Sequence, residues 1–140
     1  MIILDTNVIS ELMRDNPHPV MLAWLNGQLT RTLFSTTVNE AEILSGIAVL
    51  PEGKRRNRLA VAASHTFEKL FADRILPFDS SAAAAYAEIA SERRASGHPI
   101  SHFDAQISAI ARSRNAIIAT HNAKDFRNIG IDVIDPWQNS

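Results

Sequence analysis

Four acidic residues stand where a chain of alternating strands and helices would gather them. Asp5 ends the apolar run Met1-Ile2-Ile3-Leu4, and Glu42 lies early in the helix-patterned stretch after a second strand-like run. Asp104 lies in the first turn of a later helical stretch, and Asp125 follows a fourth apolar run. In open α/β sheets, ligands bind in the crevice beyond the carboxyl ends of the strands. Carboxylates brought together there repel one another and raise each other's pKa unless a cation sits among them. A hard divalent ion that takes oxygen ligands, Mg²⁺ or Mn²⁺, is the natural resolution. Such an ion activates water, polarises a phosphoryl oxygen and steadies a leaving oxygen, so phosphodiester hydrolysis requires no nucleophilic Ser or Cys. The chain fits that chemistry, with no cysteine, no Gly-x-Ser-x-Gly elbow and no P-loop.

Each acid also has an ordinary structural reading. Asp5 or Thr6 suits the N-cap of the following helix. Glu42, two residues after Glu40, suits solvated helix surface. Asp104 stands three residues after Ser101, as in a capping box, and Asp125 suits a turn. Taken alone, Asp5-Thr6-Asn7 reads as a cap; the joint placement of the acids favours a site. The histidines carry less. His98 and His102 are four apart, but Pro99 breaks the helix that a His-Glu-x-x-His zinc site needs, and the Glu is missing. His121 lies near the fourth acidic position, yet the sequence shows no partner for it.

The elements that must position these groups are legible from periodicity. Strands are predicted at Ile2–Asp5, Thr32–Ser35, Ile75–Phe78, Ala116–Thr120 and Asp132–Ile134. Pro17 suits the start of a helix carrying Val20, Leu22, Trp24 and Leu25. Thr37-Val38-Asn39-Glu40 reads as a capping box before Ile43, Leu44 and Ile47. A further helix begins in the basic run after Pro51-Glu52-Gly53 and carries Leu59, Ala62, Ala63, Phe67 and Leu70. Asp79 and Ser80 lead into the helix Ala82–Arg94, closed by Gly97 and Pro99, and Ser101 opens one carrying Ile107, Ile110 and Ala111. Strands alternating with helices predict an α/β fold, a largely parallel sheet flanked on both faces, in a single domain over 1–140.

Composition narrows the function classes. Apolar residues make up 46% and charged residues 21% of 140, an ordinary globular balance. Without cysteine there is no disulfide framework and no Cys-containing zinc site, which favours a cytoplasmic home. The apolar start is too short for a signal peptide, and no 18-residue uncharged apolar run predicts membrane insertion. A net charge of −1 argues against coating nucleic acid through bulk charge. A local patch is available instead: Lys54, Arg55, Arg56 and Arg58 cluster, and Arg112, Arg114, His121, Lys124 and Arg127 surround the fourth motif in sequence. Such a run is either a solvated face or a track for phosphates or an acidic partner.

Four segments carry a family resemblance: Ile2–Leu12, Asn39–Ile43, Asp104–Ile107 and Ala119–Phe126. In order and spacing they resemble the motifs of PIN-domain nucleases, and are most similar to the VapC and FitB toxins of bacterial toxin–antitoxin pairs. Leu50–Arg56, Ile75–Asp79 and the ending Asp135-Pro136-Trp137 are similar to the FitB-like branch. The resemblance spans nearly the whole chain. It implies a PIN domain with Asp5, Glu42 and Asp104 as the acidic core binding Mg²⁺, Mn²⁺ being a possible substitute. Where many relatives carry a fourth acid this sequence has Asn122, with Asp125 three residues later. The resemblance leaves open whether Asn122 orients water near the metal or Asp125 restores the charge. Thr6 and Thr120 are candidate hydroxyls that hold carboxylates or water in place.

The activity implied is a metal-dependent ribonuclease toxin with an RNA substrate, a small cognate antitoxin that binds DNA, and a homodimeric state. Trp24, Leu44 and Leu50 are candidate antitoxin contacts, or else core residues of amphipathic helices. Two other readings compete. One is a phosphatase with Asp5 as nucleophile, which wants a second Asp where Asn7 stands. The other is a PIN-like subunit serving mainly in an antitoxin-containing, DNA-bound repressor complex.

Overall fold

The apolar run that opens the chain becomes the centre of the sheet. A computed structural model describes residues 1–138. Its strands are β1 (Ile2–Leu4), β2 (Leu33–Thr36), β3 (Ile75–Leu76), β4 (Ile117–Ala119) and β5 (Val133–Ile134), paired in the order β3-β2-β1-β4-β5. Every pairing is parallel, with Ile3 opposite both Phe34 and Ile118. Between them run the helices α1 (Thr6–Leu12), α2 (Pro19–Asn26), α3 (Thr37–Ala48), α4 (Lys54–His65), α5 (Ser80–Ala95) and α6 (His102–Arg114).

Side chains alternate across a strand, so neighbours in sequence feed opposite cores. Ile3 and Ile118 pack with Ile89 of α5 and with Ile107 and Ile110 of α6. Leu4 and Ala119 pack on the other side with Ile9 of α1, Met21 of α2, Ile43 of α3, and Phe67 and Phe71. The central strands are therefore apolar on both faces, as a sheet covered by helices on each side requires. Among the described residues, no helix is long and apolar enough to cross a membrane.

The winding fixes where a site can form. The chain steps outward from β1 to β2 to β3, then returns across β1 to lay down β4 and β5. The direction reverses between β1 and β4, and the crevice at such a switch point lies beyond their carboxyl ends. Asp5 and Thr120 leave the sheet there.

Local chemistry moves several predicted boundaries. β1 stops at Leu4 because Asp5 already belongs to the next element: its carbonyl accepts from Val8 N and Ile9 N at 3.0 and 3.1 Å. β3 is only Ile75–Leu76, since Pro77 brings no N–H to a ladder. α2 begins at Pro19 rather than Pro17, with His18 Nδ1 accepting from Val20 N. The cap of α3 is Thr36, one residue earlier than the expected box, with its Oγ1 accepting from Asn39 N at 3.1 Å. After His65, α4 widens into a π turn over Thr66–Leu70, where Thr66 Oγ1 donates to Ala62 O at 2.8 Å. Such back-bonding hydroxyls distort the helical ladder locally.

The two-sided core sets a stability expectation. Ile107 is fully buried while Val61 of α4 is 71% exposed. In urea titrations, Ile107→Ala is expected to cost about 2–5 kcal/mol and Val61→Ala less than about 0.5 kcal/mol.

Candidate active site

Asp5 is 5% exposed, and its carboxylate is held on both oxygens. Oδ1 accepts from Thr6 N at 2.8 Å and from Asn39 Nδ2 at 3.4 Å, and Oδ2 accepts from Thr120 Oγ1 at 2.7 Å. Its own N–H continues the ladder to Ala119 O at 2.9 Å. The capping role and the candidate site role thus fall on one side chain: Asp5 is the N-cap of α1 and also faces the switch point.

A chain of hydroxyls and amides ties the next acid to this one. Thr6 Oγ1 donates to Glu42 Oε1 at 2.9 Å and accepts from Asn39 Nδ2 at 3.0 Å. Thr36 Oγ1 in turn donates to Asn39 Oδ1 at 2.6 Å, so the buried Asn39 amide is used at both ends. Asn39 and Glu42 are three apart on α3 and share its face. Asp104 enters from the first turn of α6, where its N–H donates to Ser101 Oγ at 3.2 Å. Asp125 belongs to the short 3₁₀ turn Ala123–Phe126.

The acids feel one another. Burial is the largest cause of the raised pKa of Asp5; the hydrogen bonds from Thr120, Thr6 and Asn39 oppose it, and the charge of Asp104 adds to it. Glu42 is raised first by burial and further by Asp5 and Asp104, against the Thr6 hydrogen bond. Asp104 is raised by burial and by Asp125, against Ser101. Among the described residues, however, no three His, Cys, Asp or Glu side chains stand close enough to grip one ion together.

Other residues read from the sequence sort differently in space. Asn122 is exposed, and its backbone does the work: its N–H donates to Thr120 Oγ1 at 3.1 Å and its carbonyl accepts from Asp125 N at 2.9 Å. Asp125 is half-buried and coupled to Asp104. Lys54, Arg55, Arg56 and Arg58 occupy the first turns of α4, with Arg55 on a groove shared with Glu42, Thr6, Ile47 and Leu50. Arg58 pairs with Asp15 at 3.9 Å, both exposed, which is worth little. Arg112 and Arg114 lie in the last turn of α6, about 12–15 Å along the helix from Asp104. They pair with Glu88, Glu92 and Asp79, so their closeness in sequence to the fourth motif does not bring them to the acids. Trp24 packs against the core around Leu4, Leu50 is half-buried, and Leu44 is 49% exposed. His102 Nδ1 meets Tyr86 Oη at 2.8 Å, and His98 is exposed on the loop before it.

Sequence reasoning passed over Asn39 and Asn7 as site residues. Asn7 Nδ2 donates to Thr120 Oγ1 at 3.2 Å, and its Oδ1 accepts from His121 N at 3.1 Å. It therefore braces the switch point rather than supplying the second acid of a phosphatase. The available signal was a polar residue on an otherwise apolar helix face, three before Glu42 or two after Asp5.

The raised pKa values carry a sign. A carboxyl raised on folding contributes stability that is fully present below its unfolded pKa and is lost as pH rises through the folded value. Asp5→Asn removes one such group. In chelator, the melting temperature of this variant minus that of the wild type is expected to grow as pH rises from about 4 towards neutrality, measured by thermal melts across pH; a flat difference would contradict the burial argument.

Comparison with known proteins agrees with this fold. The sequence model of the PIN domain family matches residues 2–132. The VapC ribonuclease Y4jK of Sinorhizobium fredii is 37% identical over 138 residues, 99% of each chain. The toxin FitB of Neisseria gonorrhoeae is 37% identical over 137 residues, 98% of this chain and 99% of that one. The solved structure of FitAB bound to an IR36 DNA fragment matches with a TM-score of 0.92 at 36% identity, covering 100% of this chain and 98% of that one. A five-stranded parallel sheet with acids at its switch point, matched nearly end to end in sequence and in fold, makes this chain a member of the PIN-domain family, of the VapC/FitB type.

Proposed function

We propose that this protein is a divalent-metal-dependent endoribonuclease, the cytoplasmic toxin of a toxin–antitoxin pair restrained by a small cognate antitoxin. One observation carries the reading: Asp5 is buried at the switch point, hydrogen-bonded to Thr120 and Asn39, and coupled to Glu42 and Asp104. The names of the relatives, a VapC ribonuclease and the toxin FitB, support the activity and the role.

Asp5, Glu42 and Asp104 are the residues that would hold Mg²⁺, or Mn²⁺ in its place. Their hard oxygen donors suit it; burial is the first cause of their raised pKa values, and the smaller mutual repulsion is what a cation would relieve. Mg²⁺ keeps several waters and takes only one or two carboxylates directly, so the remaining acid would act through a bound water. When bound, the ion supplies water activation and neutralises charge at the phosphoryl group. Thr120, Thr6 and Asn39 fix the carboxylates, Asp125 adds charge beside Asp104, and the exposed Asn122 side chain is left to orient water or substrate. Arg55 would neutralise a backbone phosphate in the groove it shares with Glu42, with Lys54, Arg56 and Arg58 extending the track. The protein would work as a homodimer, to be checked by light scattering.

A second reading has its own support. FitAB was solved on DNA, so a PIN subunit that acts mainly inside a DNA-bound complex with its antitoxin is the alternative. Cleavage separates the two. Protein freed of antitoxin is expected to cleave RNA with Mg²⁺ or Mn²⁺ and not with chelator. Asp5→Asn should slow cleavage by at least about 100-fold without unfolding the chain, and full activity in that variant would overturn the mechanism. Thr120→Val is expected to lose about 10–100-fold in the same gel assay, since it frees an oxygen of Asp5.

A further inference from the structure

His121 stands one residue beyond Thr120, whose Oγ1 lies 2.7 Å from Asp5 Oδ2, so its backbone is at the lip of the acidic cleft. Three contacts fix it. Its N–H donates to Asn7 Oδ1 at 3.1 Å. Its ring lies against Trp137, with centroids 4.3 Å apart and planes at 35°. Its Nδ1 is 3.4 Å from Asp135 Oδ1, an oxygen that also accepts from Trp137 N at 2.9 Å. Trp137 is itself packed against the core. The Asp135 side chain is 12% exposed and that of His121 is 54% exposed, so an anchored ring presents its free edge to solvent. The sequence showed no partner for His121, and the fold supplies one from the carboxyl end of the neighbouring strand β5.

The partner decides what the free edge offers. A carboxylate only accepts, so Nδ1 carries the proton that faces Asp135, and in the neutral ring Nε2 is left as an acceptor. In that tautomer Nε2 repels the phosphate oxygens of a polyanion and takes a donor instead. The donor that every RNA nucleotide carries and DNA lacks is the 2′-hydroxyl. Resting on the ribonuclease reading above, we infer that His121 reads ribose: its Nε2 accepts a hydrogen bond from the 2′-hydroxyl of a nucleotide at the cleft. Asp135 and Trp137 are positioning residues for that ring. The site thereby selects RNA over DNA of the same sequence.

The test is binding without cleavage. A short fluorescent RNA and the DNA of matching sequence are titrated in chelator and followed by anisotropy. Wild type is expected to prefer RNA by about fivefold, the worth of one hydrogen bond. His121→Ala should lose that factor on RNA and none on DNA, with an unchanged thermal melt. Asp135→Ala, which only loosens the ring, should fall between. Equal weakening on RNA and DNA would mean a phosphate contact and overturn the inference, as would no change on either or a wild type without preference. Cleavage in Mg²⁺ is scored separately. If His121→Ala erases the preference while wild type cuts no RNA, the ribose contact stands and the ribonuclease reading falls. If wild type cuts RNA and His121→Ala leaves the preference intact, the ribonuclease reading stands and the ribose contact falls.

Discussion

The hydrogen bond from Thr120 to Asp5 joins β4 to β1 at the point where the winding of the sheet reverses. Much depends on it. A carboxylate at 5% exposure pays a desolvation penalty that must be offset by hydrogen bonds to its charged form. Thr120, Thr6 and Asn39 provide these, and burial still outweighs them, leaving the pKa raised. The switch point therefore holds an acid that is well placed and whose charged form is incompletely compensated.

The polar network around Asp5 links elements that the chain makes at different times. Thr36 ends β2 and caps α3; Asn39 passes the connection to Asp5 and Thr6; Thr6 passes it to Glu42; Asn7 braces Thr120 and His121. The buried Asn39 amide and Asp5 carboxylate are hydrogen-bonded at both ends, and a satisfied buried network is rigid where a half-satisfied one is costly. The acids are thus held by the fold's own capping and strand-end chemistry rather than by loops of their own. Asp5 shows this most directly, because one carboxylate caps α1 and faces the cleft.

Much of the fold was legible because its signals are local. Short apolar runs alternating with amphipathic stretches predict a covered parallel sheet, and five strands appear where five were expected. The errors fall at boundaries, where side-chain chemistry acts over one or two residues. Pro19 rather than Pro17 starts α2, and Thr36 rather than Thr37 caps α3. Strand ends were overrun because β propensity does not register the residue at which a carbonyl turns to accept from a helix. For Arg112 and Arg114 the sequence left a solvated face or a phosphate track open, and α6 carries them away from Asp104 to pair with Glu88, Glu92 and Asp79.

The sequence by itself determined the kinds of chemistry available: hard oxygen donors without thiols, acids at strand ends and helix starts, and a motif order resembling one family. Those follow from residue type and period, which need no long-range contact. Only the tertiary structure decided which groups support one another. It attached Thr6 to Glu42 and Thr120 to Asp5, brought in Asn39, set the charge of Asp125 where Asp104 feels it, and gave His121 the partners Asp135 and Trp137. The physical reason is that hydrogen bonds and charge effects act over a few ångströms, and only the strand order together with the packing of helices and turns on the sheet sets which distant residues come that close.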